Sequence, residues 1–257
     1  MANELFNNGS HICVKFNDLS DTDVSSSAVQ SNQFLIVSDG HGALIDPGGN
    51  MTYNPLIMGM NKYFHFRKLQ YILASHQDPD IVASINKWLV GTECKVLAPA
   101  IWERFLPHFC SVGNTEGRII GIPDKGMDIK LGNSIIKAIP AHFLHSEGNF
   151  QFYDITSKIL FSGDLGASLV DHDLAAAPVT DFQAHLPTML GFHQRYMTSN
   201  KACRFWATMA RTLDIESIVP QHGRAFVGKA MVNQFITWVE NLQCGIDLMT
   251  QENYKIP

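Results

Sequence analysis

No two cysteines of this chain stand at CxxC spacing. The five present, Cys13, Cys94, Cys110, Cys203 and Cys244, are scattered and odd in number, which disfavours a disulfide scaffold and a rubredoxin-like iron site. Thiols spread in this way are most often small buried hydrophobes in a reducing compartment. No glycine-rich phosphate cradle for a flavin occurs. Positive charge is also scarce: Lys and Arg number 19 against 24 Asp and Glu, a formal net charge of -5, and this leaves no electrostatic footprint for nucleic acid or an anionic membrane. No apolar run approaches the roughly 20 residues that span a bilayer, and the opening MANELFNNGS lacks a basic segment leading into an apolar one. These absences predict a soluble, cytoplasmic protein with neither nucleic acid nor membrane as partner. Linkers and repeats are absent too, so the 257 residues, 46% of them hydrophobic, are expected to form a single domain over 1–257 with a large core.

What is present is an ordered series of strand and helix signals. His11 to Phe16 reads as a strand, Ser20 to Gln33 as a polar loop within the first sheet, and Phe34 to Val37 and Ala43 to Ile45 as a hairpin turning at SDGHG. The hairpin ends in DPGGN, whose glycines release the chain into an abrupt turn at the sheet edge. Met51 to Phe64 has apolar residues at helical spacing despite Pro55 and Gly59, and Tyr53 lies where that turn faces a site. Leu69 to Ala74, Asp80 to Val90, Lys95 to Ala98 and Ala100 to Pro107 then alternate strand with helix. Such alternation predicts an α/β (α+β) fold, its functional loops at the C-terminal ends of strands. From Arg118 the pattern becomes a meander, with strands over Arg118–Ile122, Met127–Leu131, Ser134–Pro140, Phe150–Asp154 and Ile159–Phe161. A helical segment from His185 to Leu213, a strand over Ser217–Val219 and an amphipathic helix from Val227 to Leu248 complete the reading.

The polar residues fall into one consistent group. In LASHQDPDIVASINKW an apolar run stops and His76, Asp78 and Asp80 follow at alternate positions, just ahead of a helix. An aspartate there has an ordinary use, since helix N-termini favour anions and need acceptors. The distant residues argue otherwise: His145 in IPAHFLHSEGN, Asp164 in LFSGDLGAS and His222 in PQHG each follow a predicted strand as well. Six coordinating side chains at four strand ends predict a metal site.

HxDxD, a later His, SGD and a terminal HG together resemble the metallo-β-lactamase fold, and the resemblance covers nearly the whole chain. It implies an αββα sandwich with metals at one edge. Zinc hydrolases of that fold usually carry HxHxDH, whereas here a carboxylate, Asp78, replaces the middle histidine. That pattern is similar to the HxExD of flavodiiron proteins, and closer still to the stand-alone oxygen-binding di-iron proteins related to them. The resemblance implies two iron ions, with zinc as a possible substitute: His76, Asp78 and His145 on one metal, Asp80 and His222 on the other, and Asp164 as the bridge. Hard carboxylate oxygens suit oxidisable iron. Ile81 stands where many relatives place a further histidine, which leaves either an open position beside an apolar wall or simple packing. His142 is a candidate replacement ligand or supporting residue. Tyr53, Tyr153, Tyr196 and His193 are candidate donors to a bound oxygen species, and His185, Met189 and His193 share one helix face, a stripe that usually means packing.

By that resemblance the function is an oxygen sensor: reduced iron captures dioxygen as a peroxo-diferric adduct, and a partner, expected to be a chemotaxis receptor with its histidine kinase, reads the change. No flavin site is expected in this chain, so sustained multi-electron turnover by itself is not expected. Two other readings stay open at this point. One is a reductase of dioxygen or nitric oxide supplied by a separate flavoprotein, the other a metal-dependent hydrolase of the same fold. A homodimer through the closing helix, with Phe235 and Trp238 in the contact, also stays open.

Overall fold

Strands β2 (His11–Asn17) and β3 (Asn32–Ser38) send alternate residues into two different cores. Cys13, Phe34 and Ile36 face inward between two sheets, while Val14, Phe16, Leu35 and Val37 face a layer of helices. The period of two in a strand makes this division. The structure, a computed structural model, describes residues 2–17 and 29–256. Of the loop expected over Ser20 to Gln33, positions 20–28 lie outside the described residues.

The first sheet has seven strands in chain order. β1 (Ala2–Asn7), β2, β3 and β4 (His41–Ile45) are antiparallel, and β5 (Leu69–Leu73), β6 (Lys95–Pro99) and β7 (Ile119–Ile122) then run parallel to β4. The second sheet runs β13-β12-β11-β10-β9-β8. It comprises β8 (Met127–Leu131), β9 (Ser134–Pro140), β10 (Phe150–Asp154), β11 (Ile159–Phe161), β12 (Ser217–Val219) and β13 (Phe226–Val227). Helices α1 (Tyr53–Met60), α2 (Pro79–Val82) and α3 (Ile85–Gly91) cover the first sheet through Leu56, Ile81 and Trp88. After the short α4 (His172–Ala175), helices α5 (Phe182–Tyr196), α6 (Asn200–Ala210) and α7 (Lys229–Asn241) cover the second through Met189, Trp206 and Phe235. Phe34 of β3 meets Phe161 of β11 across the central layer, ring centroids 4.9 Å apart, and burial of each such ring contributes roughly 1.5–3 kcal/mol. The result is the αββα sandwich.

Long-range backbone bonds explain where the helices depart from the sequence reading. The helix expected over Asp80 to Val90 breaks at Ala83–Ser84, because Ser84 Oγ donates to Gly48 O at 2.6 Å and accepts from Trp88 Nε1 at 3.1 Å. The segment expected over His185 to Leu213 is two helices. Thr198 N–H leaves the helical ladder for Phe143 O, and Thr198 O accepts from Ile246 N–H. Gly245 makes that junction possible: at φ +51° it brings the 197 and 198 carbonyls to where a Cβ would stand. Ala100 to Pro107 is not a helix but a run of turns bonded mostly three residues apart, passing into a 3-10 segment at Leu106–Phe109. The closing helix occupies only Lys229–Asn241 of the expected Val227 to Leu248. Strand β1 was not expected at all. Asp39 and Gly40, both at positive φ, form the two-residue turn that SDGHG predicts.

Candidate metal centre

The site lies where strands of both sheets end at one edge. Asp46 follows β4, Ser75 and His76 follow β5, the loop 141–149 follows β9, Asp164 follows β11 and His222 follows β12. Backbone bonds lock these ends together: across the sandwich Phe150 N–H donates to Ser75 O at 2.9 Å, and within the second sheet Gln221 N–H donates to Gly163 O at 2.8 Å.

All six residues expected in the centre converge. His145 Nε2 is 2.9 Å from Asp78 Oδ2 and 3.7 Å from Asp164 Oδ2. His76 Nε2 stands 3.6 Å from Asp78 Oδ2 and 3.9 Å from Asp164 Oδ2. On the other side, His222 Nε2 is 3.3 Å from Asp80 Oδ2 and 3.5 Å from Asp164 Oδ1. Asp164 therefore turns one oxygen to each group. Donor atoms of His76, Asp78, His145 and Asp164 all lie within 4.8 Å of one another, close enough to hold one ion.

Three residues not singled out from the sequence aim the imidazoles. Ser75 Oγ donates to Asp46 Oδ2 at 3.0 Å and lies 2.9 Å from His76 Nδ1. The hydroxyl proton is thus committed to the carboxylate, and His76 Nδ1–H donates to Ser75. His222 Nδ1–H donates to Gln30 O at 2.6 Å. Both rings consequently present Nε2 to the carboxylates, the orientation that supporting bonds usually give to metal-binding histidines. Only the turn after β4 hinted at Asp46, and nothing in the sequence hinted at Ser75 or Gln30.

Strain collects around His145, whose φ is +84°, with Phe143 at +65°. Non-glycine residues held there cost on the order of 1–3 kcal/mol each. Asn149 Nδ2 secures the loop by donating to Leu144 O at 2.6 Å, and Phe143 N–H donates to Ser146 O at 2.8 Å.

Burial and neighbouring charges oppose one another within the cluster. Burial alone would lower the pKa of His76, but the Asp164 charge, the close approach of Asp78 and the charge of Asp46 outweigh it and raise the value to about 9. His222 is likewise opposed by burial, then lifted to about 9 by the bond to Asp80, by Asp164 and by the Gln30 carbonyl. The hydrogen bond from His145 and then the nearby His76 imidazole hold Asp78 well below the usual carboxylate range. Burial pushes Asp46 up to about 6 against His76 and the Ser75 bonds.

A cavity of about 520 Å³ opens over the cluster, with Phe192 and Leu169 as apolar wall and Arg195 and Tyr196 also lining it. Tyr196 packs edge-on against the His145 ring at 5.2 Å. Other expected residues lie elsewhere. The Tyr53 hydroxyl donates to Lys87 O and its ring meets Trp88, so it serves α3. Tyr153 donates to Asp214 O. His142 Nε2 donates to Asp124 O, outside the cluster. His185 and Met189 are buried in packing, as their stripe suggested, and both nitrogens of His193 are used within the fold. Ile81 is fully buried beneath the first sheet and does not line the cavity, so its packing role is the one observed.

A second trio, His11, Cys13 and Asp154, is buried between the sheets. There Asp154 accepts from His11, from Ser134 and from both the amide and hydroxyl of Ser157, which accounts for it as a structural knot. All five cysteines are free, and only Cys110 is not fully buried.

The donor chemistry fits a metal pair. Three imidazoles and two further carboxylates gather around Asp164, and His76 Nε2 and Asp164 Oδ1 are buried with no hydrogen-bond partner among the described residues. Oxygen-rich sets of this kind with imidazole suit iron.

Residues 29–223 match the family described as ODP family beta lactamase. This chain belongs to the ODP family. The chemotaxis sensor ODP, solved as a peroxy diiron species and, from T. denticola, in an apo state, is 38% identical with a TM-score of 0.86, and the match covers 99% of both chains. The ODP fold is shared more widely: a flavoprotein from Thermotoga maritima matches at TM-score 0.74 over 93% of this chain and 61% of that one, but at 18% identity this is a likeness of fold alone. An uncharacterized protein of Methanocaldococcus jannaschii is 25% identical over 220 residues, 80% of this chain and 51% of the relative. The chain spans about half the length of two curated relatives it matches. Among the described residues, no helix is long and apolar enough to cross a membrane.

Proposed function

We propose that this chain is a di-iron oxygen sensor acting as one domain over residues 1–257. In this reading His76, Asp78 and His145 would hold one iron, Asp80 and His222 would hold the second, and Asp164 would serve both. The observation that carries it is the Asp164 carboxylate, with Oδ2 toward His76 and His145 and Oδ1 toward His222. Two ferrous ions, when bound, supply the electrons and open positions that dioxygen requires. The three aspartates offset three of the four charges of a ferrous pair, while Ser75 and the Gln30 carbonyl keep the imidazoles turned toward the metals. Phe192 and Tyr196 pack on the outer side of His145 and limit water there. A cytoplasmic chemoreceptor with its histidine kinase is the partner that reads the change, by analogy with the chemotaxis sensor of the same family. Anaerobic loading with ferrous iron followed by air, watched by absorbance, tests the proposal. A stable new visible band supports the sensor; bleaching with steady consumption of added reductant shows a reductase instead.

A further inference from the structure

His193 is fully buried on α5, and both of its nitrogens are engaged. Nδ1–H donates to Met189 O at 2.8 Å and Nε2 accepts from Gly166 N–H at 2.9 Å. A carbonyl only accepts and an amide only donates, so this pair of partners fixes a neutral ring in the Nδ1–H form. Trp238 closes one side of the ring at 4.9 Å, and water has no route to replace either bond.

The partner amide is what gives this bond meaning. Gly166 lies two residues beyond Asp164 with φ +102°, and a Cβ there would stand 3.1 Å from Phe226 and 3.3 Å from Phe235. The loop must pass this point tightly, with its amide aimed at α5. A second bond, Leu169 N–H to Thr188 O at 3.0 Å, ties the same loop to the same helix. One turn further along, Phe192 and Tyr196 pack against His145 at 6.0 and 5.2 Å. Helix α5 therefore touches the loop of the shared carboxylate and a histidine of the first metal group.

We infer that His193 is a positioning residue: it locks the Asp164 loop to α5, so that the carboxylate and the helix packed on His145 move as one body. Its consequence for metal binding rests on the reading of Asp164 as the shared ligand; the lock itself does not. An apolar side chain at 193 would leave Gly166 N–H buried without an acceptor, and the loop would open to regain one. Glutamine can accept and donate as the imidazole does.

The test compares His193→Phe and His193→Gln. In metal-free protein, hydrogen exchange of the Gly166 amide should quicken at least about tenfold in the phenylalanine variant, the expected result of losing a buried hydrogen bond, and return toward wild type with glutamine. Unchanged protection in His193→Phe overturns the lock. In ferrous-loaded protein the second equivalent of iron should bind roughly tenfold more weakly in His193→Phe, about 1.4 kcal/mol, and recover in His193→Gln. Faster exchange with unaltered iron affinity overturns the positioning role. Should His193→Phe not fold, nitrogen chemical shifts of the wild-type ring decide, because an Nε2–H tautomer contradicts the lock and an Nδ1–H tautomer supports it. Failure of the wild type to take up two irons counts against the metal reading, while the exchange data still judge the lock.

Discussion

Nε2 of His76 faces Oδ2 of Asp164 across 3.9 Å. The gap is too long for a hydrogen bond, yet two ligand bonds of about 2 Å each can span it through a shared ion. Both residues are buried, His76 Nε2 and the other carboxylate oxygen, Asp164 Oδ1, have no hydrogen-bond partner among the described residues, and a buried polar atom left unbonded costs roughly 1–3 kcal/mol. A pair of carboxylate oxygens serving two histidine groups is the arrangement from which the following expectations come.

Removal of single ligands should separate the two metals. Asp78→Ala or His145→Ala is expected to lower iron from two toward one per chain, and His222→Ala to do the same from the other side. Asp164→Ala should lose both, since its oxygens serve both groups. Metal analysis after anaerobic loading and desalting reads the count. Two irons retained in Asp164→Ala would contradict the assignment.

Opposite pH slopes are expected for the metal-free and metal-loaded protein. His76 and His222 have pKa values raised from 6.5 to about 9, so the stability they give the metal-free fold is complete below 6.5 and lost as pH rises through about 9. Metal must displace those protons, and apparent affinity should therefore climb about tenfold per pH unit for each proton released. Thermal melts without metal and calorimetric iron titrations, both from pH 6.5 to 9, provide the two slopes. A melting temperature that rises over that window would contradict the charge assignment.

Ile81→His should destabilise the fold rather than complete the metal site. Ile81 is fully buried with Trp88 and Leu89 and does not line the cavity. A partnerless imidazole there costs roughly 1–3 kcal/mol, which for a chain of this size lowers Tm by about 2–12 °C. Melting curves with and without iron check this, and full recovery on loading would mean that the imidazole reaches a metal.

The convergence of the six candidate residues was legible because each follows a strand, and the strands were legible because their apolar alternation is strong. Met127–Leu131, Ser134–Pro140, Phe150–Asp154 and Ile159–Phe161 form as the pattern predicts. β1 escaped notice, since ANELFN is only partly buried and carries little alternation. Helix ends were misjudged where distant backbone competes for the ladder, as Phe143 and Ile246 do at Thr198. Asp46 and Gln30 matter through hydrogen bonds to Ser75 and His222, which only folding brings near, and Ser75 matters because Asp46 fixes the direction of its hydroxyl proton. Tyr53 and His142 had the right residue type near the right loops, but their directions were set by Lys87 and Asp124.

The central claim is that Asp164 joins two irons, and an anomalous difference map of crystals loaded anaerobically with ferrous iron tests it most directly. The account predicts two iron peaks about 3.5–4 Å apart, the spacing common in two-metal sites, one beside His76 and His145, the other beside His222, with Asp164 touching both. A single peak, or two peaks with Asp164 bound to neither or to only one, would contradict it.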